Sequence, residues 1–354
     1  MTIQVLQTTQ FRNISSAKID CHPQLNAIVG DNGSGKTSLL EAIYLLGFGR
    51  SFRSSKIRRI VNHQCAELIL FAQSDEHRIG LKKQIDGTTL LRIDGETVRT
   101  QAALSKLLPV QLIHPEGYGV INGSPKYRRA YLDWGVFHVE PLFQNIMHRY
   151  KRLLKQRNAL LKRRASFREV HIWDRELVTI AEQIKTMREE YFAKIVPTIT
   201  EITADFLPEY QFRFDLYCGW NEEESLAQFL ESQYPRECQL GYTLAGPHKA
   251  DIRIKTEQGN AAECVSRGQL KLLVCALLLA QGQYAFRVLH KPTIYLIDDF
   301  AAELDPNKRA LLANYLQSNQ AQVFITAIEQ QMLEGFNLTD GHLFHVKQGV
   351  VTQQ

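Results

Sequence analysis

The sequence predicts an α/β fold with a mainly helical lobe inserted into it. Short strand signals fill the start of the chain and return near its end, and a charge-dense stretch with apolar residues every three or four positions separates them. A glycine-rich loop also stands between an apolar strand and a helix, the arrangement that holds phosphates. The chain has 354 residues, 44% of them apolar, enough for one large or two ordinary cores and too apolar for disorder. Lys and Arg number 42 against 37 Asp and Glu, a net charge of +5 that points only weakly to a polyanionic partner.

Taken in order, strands are expected at 5–9, 26–29, 68–72, 78–82, 90–93 and 110–113. Asp86-Gly87 and Asp94-Gly95 supply hairpin turns between the later ones. Gly30-Asp31-Asn32-Gly33-Ser34-Gly35-Lys36-Thr37 completes the pattern G-x-x-x-x-G-K-[ST] after the strand ending at Val29. Its glycines let backbone N–H groups curl around phosphates, Lys36 would reach the β- and γ-phosphates, and the Thr37 hydroxyl would bind Mg²⁺. The helix opening at Ser38 adds its positive end. The bland alternative, a glycine-rich turn without a ligand, leaves the four fixed positions unexplained. A basic cluster follows at Arg50, Arg53, Lys56, Arg58 and Arg59.

His114-Pro115-Glu116-Gly117 and Asn122-Gly123-Ser124-Pro125 break the strand pattern, so the expected parts are 1–122, an inserted helical lobe at 123–237, and a returning part at 238–354. Residues 126–205 read as helical, with Pro141 and Pro197 the only prolines. Within them Lys151, Arg152, Lys155, Arg157, Lys162, Arg163 and Arg164 form a run with no acidic residue, and Leu153, Leu154, Leu160 and Leu161 give it an apolar side. With the 50–59 cluster these side chains are candidates for sequence-independent contact with DNA phosphates. The alternative is a solvated helix face paired with acids such as Glu169 or Glu176.

After a turn-rich stretch, strands are expected at 251–254, 293–297 and 323–326, with a closing hairpin around Gly349. Ser266-Arg267-Gly268-Gln269 opens the apolar run 272–280. A Ser hydroxyl and free amides at a helix N-terminus make a second anion site, though S-x-x-Q is also a capping box, and both readings stay open. The strand 293–297 ends in Asp298 and Asp299. Asp298 fits a Mg²⁺ ligand and Asp299 the group that orients or deprotonates the attacking water. A buried strand ending in helix-capping Asp is the alternative.

These motifs in this order resemble the ABC ATPases, whose signature usually reads Ser-Gly-Gly-Gln, and Ala302-Glu303-Leu304-Asp305 is similar to their D-loop. More specific stretches are Leu39-Leu40-Glu41-Ala42-Ile43-Tyr44, Gly49-Arg50-Ser51-Phe52-Arg53, Pro115-Glu116-Gly117, Gly123-Ser124-Pro125-Lys126-Tyr127-Arg128-Arg129 with Leu132-Asp133, and Gly246-Pro247-His248-Lys249. With them nearly the whole chain resembles the RecF family. The resemblance implies an ABC ATPase head, a P-loop NTPase with a mixed sheet, carrying an inserted helical lobe and no long coiled coil. It implies ATP and Mg²⁺ as cofactors, weak DNA-stimulated hydrolysis, and an ATP-dependent homodimer on double-stranded DNA near gaps and single/double-strand junctions. In such a dimer Ser266 would close over the γ-phosphate held by the other copy. It also implies RecR and RecO as partners in recombinase loading, with roles in replication, repair and the SOS response.

This sequence departs from the ABC pattern in three places. Phe324-Ile325-Thr326-Ala327 offers no switch His, Ala302 stands where many D-loops have Ser, and Asp299 replaces the usual Glu and is one methylene shorter. The shorter reach implies slow turnover, and Thr326 or a neighbour is left as the candidate γ-phosphate sensor. A cytoplasmic protein is expected: the N-terminal stretch lacks a charged-then-apolar signal, and the run 272–280 falls short of the about 20 residues a membrane span needs. Cys21, Cys65, Cys218, Cys238, Cys264 and Cys275 are scattered without a CxxC, as reduced thiols would be. The rival readings are a P-loop kinase of a nucleotide or metabolite, a transporter ATPase subunit, and a non-enzymatic DNA clamp.

Overall fold

The computed structural model describes residues 2–115, 117 and 119–354, apart from the side chain of Ala302. Glu116 of the Pro115-Glu116-Gly117 stretch lies outside the described residues. Two compact units are present: Met1–Gly117 with Gly282–Gln354, and Tyr118–Gln281 between them.

The first part of the chain lays down β1 (Val5–Phe11), β2 (Ile14–Asp20), β3 (Leu25–Val29), α1 (Lys36–Phe48), β4 (Glu67–Gln73), β5 (Arg78–Gln84), β6 (Thr89–Ile93), β7 (Glu96–Val98), α2 (Gln101–Leu107) and β8 (Val110–Ile113). Six of these strands form an antiparallel sheet in the order β2-β1-β4-β5-β6-β7. The expected turns are there, with Gly87 and Gly95 both at positive φ. In β4 the alternation puts Leu68, Leu70 and Ala72 inward. β2 was not expected: only Ile14 and Ile19 of its seven residues are buried, so it carries almost no apolar signal.

The second unit begins with α3 (Gly119–Asn122), α4 (Pro125–Val139), α5 (Phe143–Lys162) and the 40-residue α6 (Phe167–Phe206). It continues with β9 (Arg213–Tyr217), α7 (Leu226–Leu240), β10 (Asp251–Thr256), β11 (Gly259–Asn260), α8 (Ala261–Cys264) and the start of α9 (Arg267–Leu289). Pro141 falls between α4 and α5, whereas Pro197 is accommodated inside α6. The expected return at 238 is displaced. The strand signal at 251–254 is real, but β10 pairs with β9 and β11 in a separate three-stranded sheet of this unit, which runs to Gln281. Helix α9 is longer than its nine-residue apolar run suggested. By length and composition it could cross a membrane, yet over half of that stretch is packed inside the protein, as in a core helix.

The 123–133 and 246–249 motifs tie this unit together. Arg128 makes a bidentate pair with Asp251 at 2.6 and 3.0 Å, and Arg129 donates to Ala250 O. Arg188 joins Asp133 to the carbonyl of Pro247. His248 sits between the Tyr150 hydroxyl at 2.7 Å and Thr243 O at 3.1 Å, and burial pushes its pKa down to about 4. A neutral ring donating Nε2–H to the carbonyl and accepting from Tyr150 at Nδ1 satisfies both contacts.

The chain then returns to the first unit through β12 (Ile294–Ile297), α10 (Pro306–Ser318), β13 (Gln322–Ala327), β14 (His342–Lys347) and β15 (Val350–Gln353). The second large sheet has the order β15-β14-β3-β13-β12-β8, parallel except for β15, and is therefore mixed. β3, β12 and β13 are buried along their whole length, as parallel strands covered on both faces must be. The core of this unit holds Leu39, Leu40, Ile43 and Leu46 of α1 with Leu6, Leu70 and Leu81 of one sheet and Leu296, Phe324 and Phe344 of the other. Each such aliphatic side chain stabilises by about 1.5–3 kcal/mol when fully buried. Packing on both sides fixes α1, and α1 fixes the loop before it.

Candidate nucleotide site

The phosphate loop leaves β3 at Gly30 and enters α1 at Lys36. Gly30 has φ +152°, and a Cβ there would stand 2.2 Å from Val346 O, so no larger residue fits. Gly35, at φ +124°, caps α1 without any side-chain acceptor, which leaves first-turn N–H groups of the helix to a ligand or water. Ser34 Oγ is buried and has no hydrogen-bond partner among the described residues, a state a hydroxyl tolerates where a bound group completes it. Lys36 Nζ bends over the loop to Gly30 O at 2.7 Å and Asp31 O at 3.1 Å, holding a cation above these amides. Asn32 and Gly33 are exposed at the loop's crest.

Asn13, on the turn between β1 and β2, escaped the sequence reading. Its side chain bonds to Ser34 O at 3.0 Å and accepts from the Ser38 hydroxyl at 3.0 Å. Ser38 is thus committed to Asn13 and contributes to a ligand only through its place at the helix start. Beneath it, Glu41 is fully buried and accepts from Arg12 Nε at 2.9 Å and Nη2 at 2.6 Å, one side-on edge of the guanidinium, with the Ser51 hydroxyl as a further donor. Arg53 reaches the same carboxylate at 3.9 Å. The Leu39–Tyr44 motif therefore carries the anchor of the 50–59 loop.

Residues from opposite ends of the sequence meet at the loop's mouth because β13 lies between β3 and β12. The Thr37 hydroxyl donates to Asp298 Oδ1 at 2.9 Å. The Thr326 hydroxyl lies 3.0 Å from Asp298 Oδ1 and 3.2 Å from Asp299 Oδ1, so its one proton serves either carboxylate, and it accepts from Asp299 N at 2.8 Å. Burial raises the pKa of Asp298, the Thr37 and Thr326 hydroxyls oppose this, Asp299 adds to it, and Arg53 opposes it. Two hard oxygens, one hydroxyl and one carboxylate, suit Mg²⁺, which takes few protein ligands and completes its shell with phosphates and water. No cluster of three or more His, Cys, Asp or Glu that could hold a metal is present among the described residues. Asp299 has φ +49°, an uncommon conformation for a non-glycine residue and one that recurs at functional sites.

Ser266 forms the capping box, its Oγ accepting from Gln269 N at 3.4 Å and its N–H donating to Gln269 Oε1 at 3.1 Å. Gln269 is further tied to Glu209 and Tyr210. Ser266, Arg267 and Gly268 are exposed at the start of α9, in the second unit, whereas the phosphate loop belongs to the first. Of the basic candidates, Lys151, Arg152, Lys155, Lys162 and Arg164 are exposed, and Arg163 is exposed but paired with Glu169 at 3.0 Å. Arg50, Lys56, Arg58 and Arg59 are also exposed, and Arg53 half so.

Arg157 is a correction. It is 0% exposed, donates to Asp174 and Glu237 at 2.6 Å each, and reaches Thr243 at 2.9 Å, so it cannot touch DNA. It belongs to the inward stripe of α5, spaced four residues from Leu153 and from Leu161.

The family described as RecF/RecN/SMC N terminal domain matches residues 2–352. The protein called DNA replication and repair protein RecF in Aliivibrio fischeri strain MJ11 is 47% identical over 358 residues, covering 100% of both chains. The protein of the same name in Vibrio cholerae serotype O1 is 45% identical over 362 residues, again covering 100% of both. Among solved structures, that of the recombination mediator protein RecF with ATP superposes with a TM-score of 0.88 at 22% identity, covering 100% of this chain and 97% of that one. An Smc head bound to the C-winged helix domain of ScpA superposes with a TM-score of 0.62 at 18% identity, covering 100% and 97%. These structural likenesses establish the ABC ATPase head fold.

Proposed function

The chain belongs to the RecF/RecN/SMC N terminal domain family, and from that membership we propose that it is a DNA-binding ATPase of replication and repair that dimerises on duplex DNA when it binds ATP. The observation that carries this reading is the cluster of Thr37, Asp298, Asp299 and Thr326 at the mouth of an uncapped phosphate-loop helix.

The amides of residues 30–37 cradle the β-phosphate and Lys36 turns from the loop carbonyls to the β,γ-oxygens. Thr37 and Asp298 are the residues that would hold Mg²⁺, which supplies charge neutralisation at the transferred phosphoryl group. Asp299 orients the attacking water and accepts its proton, with Thr326 fixing the carboxylate. The shorter reach of Asp299 makes turnover slow. Ser266 and the exposed first turn of α9 close over the γ-phosphate held by a second copy.

A size measurement tests the dimer. Sedimentation velocity with ATP and duplex DNA is expected to show a dimer for the parent chain and a monomer for Ser266→Arg, with nucleotide affinity unchanged. Nucleotide binding with no change of size in the parent would instead favour a phosphotransferase.

DNA contact is assigned to Lys151, Arg152, Lys155, Lys162, Arg163 and Arg164, and to Arg50, Arg53, Lys56, Arg58 and Arg59. These proposed contacts are to phosphates and carry no base readout, so the binding falls with salt. Reversing Lys151, Arg152 and Lys155 to Glu is expected to weaken duplex binding by about tenfold or more and to flatten the slope of log affinity against log salt by roughly 0.9 per lost phosphate contact. Reversing Arg163 and Arg164 should act in the same direction but less strongly, because Glu169 already offsets Arg163. Unaltered affinity in both variants would remove α5 from the interface. A relative is described as the recombination mediator RecF in the RecFOR pathway. By that kinship RecO and RecR are the proposed partners, with loading of recombinase at gaps and junctions and support of the SOS response as the proposed setting.

A further inference from the structure

The segment after Asp299 is a 3₁₀ turn, Ala301–Glu303, closed by Leu304 N donating to Ala301 O at 3.2 Å. Such a short turn leaves carbonyls unpaired at its end. Arg309, one turn into α10, reaches back over it. Its Nε donates to Ala301 O at 3.1 Å and its terminal Nη2 to Leu304 O at 3.1 Å. The planar guanidinium thus spans both ends of the turn from two separate nitrogens, a fixed fork that Lys, whose donors all sit on one nitrogen, does not reproduce. Asp305 secures the same corner by accepting from Lys308 N at 3.0 Å. Phe300 and Ala301 are buried at its base.

Asp299 stands between two anchors. Upstream, its N–H is held by Thr326 Oγ1. Downstream, the turn held by Arg309 begins two residues later. A left-handed non-glycine residue is strained and persists only where its surroundings over-determine it. We infer that Arg309 is a positioning residue for hydrolysis: by clamping Ala301 O and Leu304 O it fixes the backbone that aims the Asp299 carboxylate. This deepens the proposed ATPase function and rests on Asp299 being the group that orients the water.

The test uses the full-length chain with Mg²⁺ and ATP, under single-turnover conditions. Arg309→Met is expected to lower the hydrolysis rate by about tenfold to a hundredfold, the effect of roughly an ångström of misplacement, while affinity for a fluorescent ATP analogue stays within about twofold. Arg309→Lys, which keeps one of the two donations, should recover part of the rate. The double variant Arg309→Met/Asp299→Asn should be no slower than Asp299→Asn alone, because both changes act on one group. A rate unchanged in Arg309→Met, a parallel loss of nucleotide affinity, or fully additive losses in the double variant would each overturn the inference. Asp299→Asn measured alone separates the two layers. If it hydrolyses at the parent rate, the role of Asp299 itself fails. If it is slow while Arg309→Met is fast, only the positioning role does.

Discussion

Replacing Asp298 with Asn is expected to reduce ATP hydrolysis by on the order of a hundredfold or more while leaving the chain no less stable. The rate follows from the site's chemistry. Asn keeps the shape and can still accept from Thr37 or Thr326, but it loses the anionic oxygen. Lewis-acid assistance at a phosphoryl group is worth several kcal/mol, and each ~1.4 kcal/mol is a factor of ten in rate. The stability follows from the raised pKa of Asp298. A carboxyl whose pKa is higher in the folded chain contributes stability below its unfolded value, and that contribution is lost as pH rises through the folded value. The ionised side chain is therefore a net cost to the nucleotide-free fold, and Asn removes it. Phosphate release and thermal melting, each measured on parent and variant without and with Mg²⁺ and ATP, check both halves. Undiminished release would take the metal-binding role away from Asp298. A markedly lower melting temperature without nucleotide would show the carboxylate to be a structural necessity instead.

Arg157→Met is expected to destabilise the helical unit by about 3–5 kcal/mol, the range for removing one partner of a buried ion pair. Arg157 bonds to Asp174 on α6, to Glu237 on α7 and to Thr243 beyond it, and Glu237 also accepts from Leu244 N. Methionine fills much of the volume but leaves two carboxylates buried without their cation. Trp134, Trp173 and Trp220 all belong to this unit, so their fluorescence during urea unfolding reports it separately from the rest of the chain. A urea midpoint within error of the parent would show that the pair contributes little. Intact DNA affinity in the folded variant is expected as well, since this guanidinium faces inward.

Much of the candidate nucleotide site was legible because the chemistry proposed for it fixes both residue type and order. The loop 30–37 and the strand ending in Asp298 and Asp299 fall where the reading put them, and β4, β5, β8 and β13 were expected to within two residues of their bounds. Alternating burial made that possible in the antiparallel sheet, and unbroken apolar runs did so in the parallel one. β2 and β9 were missed for the converse reason: Ile14 and Ile19 are the only buried residues of one, and Phe214 of the other. Asn13 carries no motif, and its hold on the phosphate loop depends on β1 and β2 being docked first. Arg157 is more instructive. Its four-residue spacing from Leu153 and Leu161 placed it on the inward stripe, but its charge suggested the opposite. Periodicity outranked charge because Asp174 and Glu237 meet it inside, a long-range fact that no local pattern contains.

The sheet order also bears on how the chain is made. β3 and its phosphate loop leave the ribosome early, but both strands that flank β3, β13 and β14, are among the last to emerge. Until then the apolar strand Leu25–Val29 has no hydrogen-bonded neighbour and the loop has no acidic counterpart. The contiguous unit Tyr118–Gln281 can complete itself meanwhile, since nothing in its own sheet awaits a later strand. A nascent chain halted before Gln322 would thus carry a finished helical unit and a phosphate loop not yet joined to Asp298 through β13, with an unpaired strand exposed to chaperones and to aggregation.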